Sequence, residues 1–458
     1  MNATSRRAVL TALATTPFLT SGQQTREAPA PRPSVRDVLI RGAAVVLTMD
    51  PTLGRGPLGA VRDADVLLRG GRVHAVGHRL PRPADARVLG AAGKLVLPGF
   101  VDVHNHLWQS GFRGGCADQD LNGWFRNCHH YVVSRLTPAG IYWLVLLSCA
   151  DVLRSGVTTV VDWVPPLPYA VYARHFAALE RSGLRFVFAV SPHGRDVRIP
   201  ARVHRELVLP TPRASLHVAG SAAMFLLRDL RVGYATAREL GVMYNLHLLE
   251  HISQRQGEPI RALRAAGALG PDVLANHAIH LTDAEISLLA ERDVRAAYCP
   301  LSNMRLGSGV MRLPDLHRHG MKVGLGLDGA ANDTSDYFAL MKTAMGLQRA
   351  VHRRADVYPG ITDVLRMATL GGAQAIGMAD RIGSLTPGKR ADVIVVDPHT
   401  VNFAPRHDWI SQLVLNAQPT NVTHVFVDGV ELKRDDRLVA LDTEEILAKA
   451  EHAAESLR

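Results

Sequence analysis

PGFVDVHNHL (residues 98–107) is the stretch on which the reading of this 458-residue chain turns. A short apolar run ends in two histidines, His104 and His106, two positions apart. On an extended strand, residues i and i+2 point to the same face. Two imidazoles on one face of a strand end can chelate a single ion, and neutral imidazole is the commonest metal ligand. Alone, H-x-H is weak evidence, because two surface histidines produce it by chance. Its meaning depends on what stands around it.

Working outward, strand-like apolar runs recur at residues 97–106, 157–163, 185–190, 216–220, 243–249, 273–280, 295–299 and 323–328. Helical patterns such as DAEISLLAERD and MFLLRDLRVGYATAREL separate most of them. Eight such alternations predict an α/β fold, a (β/α)8 TIM barrel with its active site at the C-terminal ends of the strands. The flanks differ. VLIRGAAVVLTMD and DVLLRGGRVHAVG on one side, and GSLTPGKRADVIVVD and VTHVFVDGVELKRD on the other, are β-rich runs broken by glycine. They predict a small β-sandwich domain built from both chain ends. The expected division is a leader and linker over 1–35, sandwich over 36–94, barrel over 95–380, then sandwich and a terminal amphipathic helix over 381–458.

The other strand ends hold further candidates. YNLHLLE brings His247 and Glu250, LANHAIHL brings His277 and His280, and VGLGLDGAAND brings Asp328. Each has a bland reading: a strand-end histidine is commonly structural, and Asp-Gly commonly makes a turn. Joint placement at one end of one barrel outweighs those readings.

With these motifs in place, the chain resembles the amidohydrolase superfamily, in its deaminase and chlorohydrolase branch. The matching segments are PGFVDVHNHL, RSGVTTVVDW, HLLE, NHAIHLTDAEISLLAERDV, CPLSNMRLGSG, GLGLDGAAND and GSLTPGKRADVIVVD, in the family's order. The resemblance implies metal ligation by His104, His106, His247 and Asp328. It implies a catalytic role for Asp328 as proton acceptor, for Glu250 as the acid that protonates ring and leaving amine, and for His277 as the residue that orients the water. His280 is read as structural, on the opposite strand face. The implied cofactor is one divalent ion per subunit, zinc or ferrous iron, since three histidines and a carboxylate suit several such ions. Relatives with two metals bridge them by a carboxylated lysine on the fourth strand. This chain has no lysine between Lys94 and Lys322, which argues for one metal. The implied reaction is hydrolytic deamination of a nitrogen heterocycle by a metal-bound hydroxide, and the implied partner a small molecule, within a chain that can form a homodimer. Release of chloride or an alkylamine, or opening of a cyclic amide, is the alternative. A non-catalytic scaffold would have lost ligands, and none is lost.

Some positions depart from the family pattern. A substrate-contacting Pro-His pair is missing where His217 stands, and Ser191-Pro192-His193 occurs earlier, so His193 is a candidate substrate contact. Trp108 and Gln109 follow the H-x-H pair and are candidates for lining the pocket, Trp108 by stacking on a planar ring. The pair His129-His130 reads as helix surface. Ser302 and Asn303 match a motif expected to support a strand end.

Bulk properties bound the rest. Hydrophobic residues make up 47% and charged residues 21%, as in ordinary globular proteins. The formal charge is +10 but its arginines are spread, so no nucleic-acid surface is indicated. Ser5-Arg6-Arg7 before a mildly apolar stretch resembles a twin-arginine export signal, too short for a membrane span. Export by that route is the expectation, with a cytoplasmic enzyme if the leader is unused. Four cysteines without a C-x-x-C pair read as buried or incidental thiols.

Overall fold

The computed structural model describes residues 36–192, 198–330 and 333–457. Both expected units are present. The first is a curled parallel sheet whose strands follow one another in chain order: Phe100–His106, Val157–Val164, Arg185–Val190, Ala214–Ser221, Met243–Leu248, Val273–His277, Arg295–Tyr298 and Val323–Leu325. The eighth strand closes it. Val323–Leu325 pairs with the seventh strand, and two residues on Asp328–Gly329 pairs with Asn105 and His106 of the first. Helices separate the strands where the periodicity placed them. Asp283–Glu291, for example, begins in a capping box between Thr282 and Glu285, which satisfies two otherwise open backbone donors.

The run at 97–106 is two strands, not one. Leu95–Pro98 belongs to the terminal sheet, and the barrel begins at Phe100. The break falls at Gly99, where a Cβ would lie 2.1 Å from the Thr158 side chain. Only glycine lets the chain pass so close. A second irregularity follows. Asp102 pairs with Val160 and Asn105 with Asp162, so the first strand carries one residue more than the second between these points. Such bulges re-aim side chains beside active sites. Val101 and Val103 here join the apolar cluster with Val161, Val187, Ala219 and Leu274, while His104 and His106 gather with the other strand-end histidines.

The second sheet has nine strands drawn from both ends of the chain, eight of them in one path. Arg72–Gly77, Ala60–Arg69, Val38–Leu47 and Leu95–Pro98 meet Val393–Val396, Val422–Val427, Val430–Arg434 and Arg437–Leu438, with Arg87–Gly90 alongside Val38–Leu47. The expected terminal helix spans Thr443–Glu455 and packs on Pro138–Arg154.

Arg185 ties this sheet to the barrel. It opens the third barrel strand, is fully buried, and reaches Asp392 at 2.8 Å through Nε and Asp428 at 2.6 Å through an Nη. Buried ion pairs of this kind are strongly destabilising when one partner is removed, because the other charge stays desolvated. Arg185→Met is therefore expected to cost about 3–5 kcal/mol in urea unfolding. A loss under about 1 kcal/mol, the range of a surface pair, would contradict the anchoring role.

Two expectations about side chains are corrected. Cys116 and Cys128 form a disulfide, so only Cys149 and Cys299 are buried thiols. The partners stand twelve residues apart and meet because the loop after the first strand folds back on itself, which no local spacing reveals. His280 lies beyond the end of the sixth strand, not on its opposite face; its Nε2 is 2.8 Å from the Ser308 carbonyl oxygen, a structural contact.

Candidate metal centre and active site

Four imidazoles converge above the barrel. Ring centroids lie 4.8 Å apart for His104 and His106, 4.9 Å for His104 and His247, and 5.3 Å for both His104–His277 and His247–His277. Asp328 completes the group, its Oδ1 being 3.3 Å from Nε2 of His104 and 3.3 Å from Nε2 of His106. Two sets of ligand atoms lie within 4.8 Å of one another, those of His104, His106 and His247 and those of His104, His277 and Asp328.

The donor chemistry fits a cation. His106 Nδ1 is 2.8 Å from the Trp163 carbonyl oxygen, which only accepts, so Nδ1 carries the proton and Nε2 keeps a lone pair. That lone pair faces a carboxylate oxygen, and the Nε2 of His247 lies 3.3 Å away. Both ring nitrogens of His104 are buried with no hydrogen-bond partner among the described residues. Lone pairs and a carboxylate held this close repel unless a positive charge sits among them. Burial also favours the ligating form, holding His104 below the usual histidine range and His247 well below it. Burial alone would push the Asp328 carboxyl up, but His104 and His106 outweigh it and hold it well below the ordinary range.

Glu250 and His277 stand beside this cluster. Glu250 is buried, and burial together with the charge of Asp328 raises its carboxyl well above the ordinary range. Its Oε2 lies 3.6 Å from His277 Nε2. His277 is fully buried and driven down to about 3, by burial first, so it is neutral at ordinary pH. Its backbone φ of 70° and that of Asp328, 65°, are both left-handed. Non-glycine residues rarely adopt this region, and such strain concentrates at functional sites.

The remaining candidates fall differently. Trp108 is wholly buried, with its ring 5.8 Å from Phe112 and 5.4 Å from His129, so a substrate ring reaches it only if this packing opens. Gln109 is also buried, its Oε1 without a partner among the described residues. His193 lies outside the described residues. His217 sits within the fourth strand, buried, 3.4 Å from the Asn245 amide. His129 is not helix surface. A π-helical turn over Phe125–His129 turns it inward onto Trp108 and Trp124, while His130 stays exposed. Burial, aided by His106, pushes the His129 imidazole down to about 3. The sequence reading gave no role to Trp163, whose ring lies 4.7 Å from His247 and 5.5 Å from His106. Its place at the end of the second barrel strand was the available signal.

Comparison with known proteins agrees with this geometry. Residues 95–432 match the amidohydrolase family. The chain is 33% identical to a 5-methylthioadenosine/S-adenosylhomocysteine deaminase of Pelotomaculum thermopropionicum, over 91% of this chain and 98% of that protein. It is 31% identical to a 5'-deoxyadenosine deaminase of Methanosarcina mazei, over 92% and 98%. Among solved structures, a zinc-bound adenosine deaminase from Xanthomonas campestris superposes with a TM-score of 0.84 at 28% identity, over 92% and 98%. A zinc complex of atrazine chlorohydrolase from Arthrobacter aurescens shares the fold, with a TM-score of 0.82 at 22% identity over 91% and 100%.

The ligand set predicts one divalent ion per chain by elemental analysis, and His247→Ala should lower that content well below one. Two tightly held ions per chain would contradict the arrangement.

Proposed function

The chain belongs to the amidohydrolase family, and from that premise we propose that it is a deaminase acting on an amino-substituted nitrogen heterocycle, with purine nucleosides the first class to test. The observation that carries the reading is Glu250, a buried carboxyl beside the ligand cluster and 3.6 Å from His277. Expelling an amine needs an acid that can deliver a proton, first to the ring and then to the leaving nitrogen. Glu250 is placed for both, and burial with the charge of Asp328 favours its protonated form. The named relatives, all deaminases of adenosine derivatives, support the same class.

The residues divide the work. His104, His106, His247 and Asp328 would hold the ion, for which we propose zinc, the metal in two of the structural neighbours. Such an ion supplies a water whose pKa falls to about 7 and polarises the bond under attack. Asp328, with a carboxylate oxygen in the cluster, takes up the proton the water gives away. Glu250 Oε2 donates to the heterocycle. His277 holds the attacking oxygen in line. The apolar layer of Val101, Val103, Val161 and Leu274 closes the barrel below the site.

Glu250→Gln is expected to retain its metal and lose about 10²–10⁴-fold in turnover. The assay is ammonia release across aminopurine nucleosides, pterins, pyrimidines and triazines. Chloride release from a chlorotriazine, with no ammonia from any amine, would favour the alternative leaving group. Near-wild-type turnover in Glu250→Gln would refute the assigned acid.

We further propose that the enzyme works outside the cytoplasm. The twin-arginine pattern at Arg6-Arg7 and the Cys116–Cys128 disulfide support this, since disulfides persist in oxidising compartments. Replacing both arginines with lysine should keep the protein in the cytoplasmic fraction. Unchanged distribution would count against export by this route.

A further inference from the structure

Two overlapping ligand sets compete in this site, one containing His277. Whether His277 binds the ion or only faces it depends on where its single proton sits. A neutral imidazole carries one N–H; the bare nitrogen can ligate and the protonated one cannot.

Asn303 settles that choice. Its Nδ2 lies 3.0 Å from His277 Nδ1, with both side chains fully buried. An amide N–H donates, so Nδ1 is the acceptor and the ring proton must sit on Nε2. The opposite face of the ring demands the same. Nε2 has no hydrogen-bond partner among the described residues and looks toward Glu250 Oε2 at 3.6 Å. A ligand atom of His277 also lies within 4.8 Å of one on Asp328. An N–H pointing at the Asp328 carboxylate is favourable, whereas a further lone pair pointing at it is repulsive. The reversed amide, with Oδ1 toward Nδ1, would impose that repulsion.

The backbone holds Asn303 in place. It lies in the short helix Pro300–Arg305; its N–H donates to the Cys299 carbonyl and its carbonyl accepts from Ser308 N–H.

We propose that Asn303 is a positioning residue that fixes the Nε2–H tautomer of His277, and so keeps His277 out of the metal's ligand set and makes it a hydrogen-bond donor. The inference rests on the hydrolase reading of the same site. It explains why four converging imidazoles yield three ligands. It also leaves a coordination position for water, as a catalytic ion requires.

The test compares Asn303→Asp with Asn303→Ala in the zinc- and cobalt-loaded protein, at about pH 8–9, above the ordinary imidazolium range. Aspartate has the shape of asparagine but only accepts, so it draws the proton to Nδ1 and bares Nε2. The expected results for Asn303→Asp are a fall in kcat of about 100-fold or more, the scale of a wrong tautomer, and zinc affinity undiminished against a chromophoric chelator. The cobalt absorption spectrum should change as His277 joins the ligands. Asn303→Ala, which frees the ring without reversing the bond, should lose less. A merely structural asparagine predicts the reverse order, with aspartate milder than alanine and zinc affinity falling in both. That order, or an unchanged cobalt spectrum in Asn303→Asp, would overturn the proposal. If Asn303→Asp does not fold, Asn303→Ala in a His277→Ala background decides: it should add no further loss of kcat, and an added full loss would overturn the inference. Affinity and cobalt spectrum need no substrate. A protein that releases no ammonia therefore sinks the deaminase reading while the tautomer remains measurable.

Discussion

Lone pairs and a carboxylate crowded into a buried space are the constraint on which the rest of the molecule depends. Asp328 Oδ1 lies 3.3 Å from Nε2 of His104 and from Nε2 of His106, and His247 Nε2 is as close to that of His106. Without a cation these groups repel; with one they hold the mouth of the barrel together. Their approach is built into the strand pairing. Asp328 pairs with Asn105 across the seam where the barrel closes, and the first strand carries its bulge between Asp102 and Asn105, beside His104 and His106. The seam that completes the sheet is therefore also the seam that completes the ligand set. A first strand slipped by one residue would turn its side chains to the other face and take His104 and His106 away from Asp328.

Groups outside the ligand cluster brace it from two directions. The Trp163 carbonyl sets the tautomer of His106. Asp102, buried and pushed up to about 7 by that burial, accepts from the backbone N–H of His104 and Leu327 and from the Asn105 amide, bracing both sides of the closing seam. Such outer partners tune a site nearly as strongly as its ligands.

The parts legible in the sequence are those with a short period. H-x-H on a strand, H-x-x-E across a strand end and Asp-Gly at the closing strand can be read because neighbours in sequence stay neighbours in space. The eight strands were legible for the same reason, each being a compact apolar run. What escaped depends on distant contacts. Gly99 divides a run that looks continuous because Thr158 leaves no room for a side chain. His129 turns inward because of one π-helical turn. Cys116 finds Cys128 only once the loop is folded. Trp108 looked like a stacking surface from its position beside the ligands, yet the same loop packs over it and buries it.

That loop is tied to the rest of the mouth. Three contacts reach beyond it: Arg113 Nε donates to the Ala330 carbonyl, an Arg305 Nη donates to the carbonyls of Gly115 and Cys116, and Asn122 Nδ2 lies 3.5 Å from His251 Nδ1. The disulfide crosses its base. Chemistry in barrels of this kind is carried by strand ends, while specificity is carried by the loops above them.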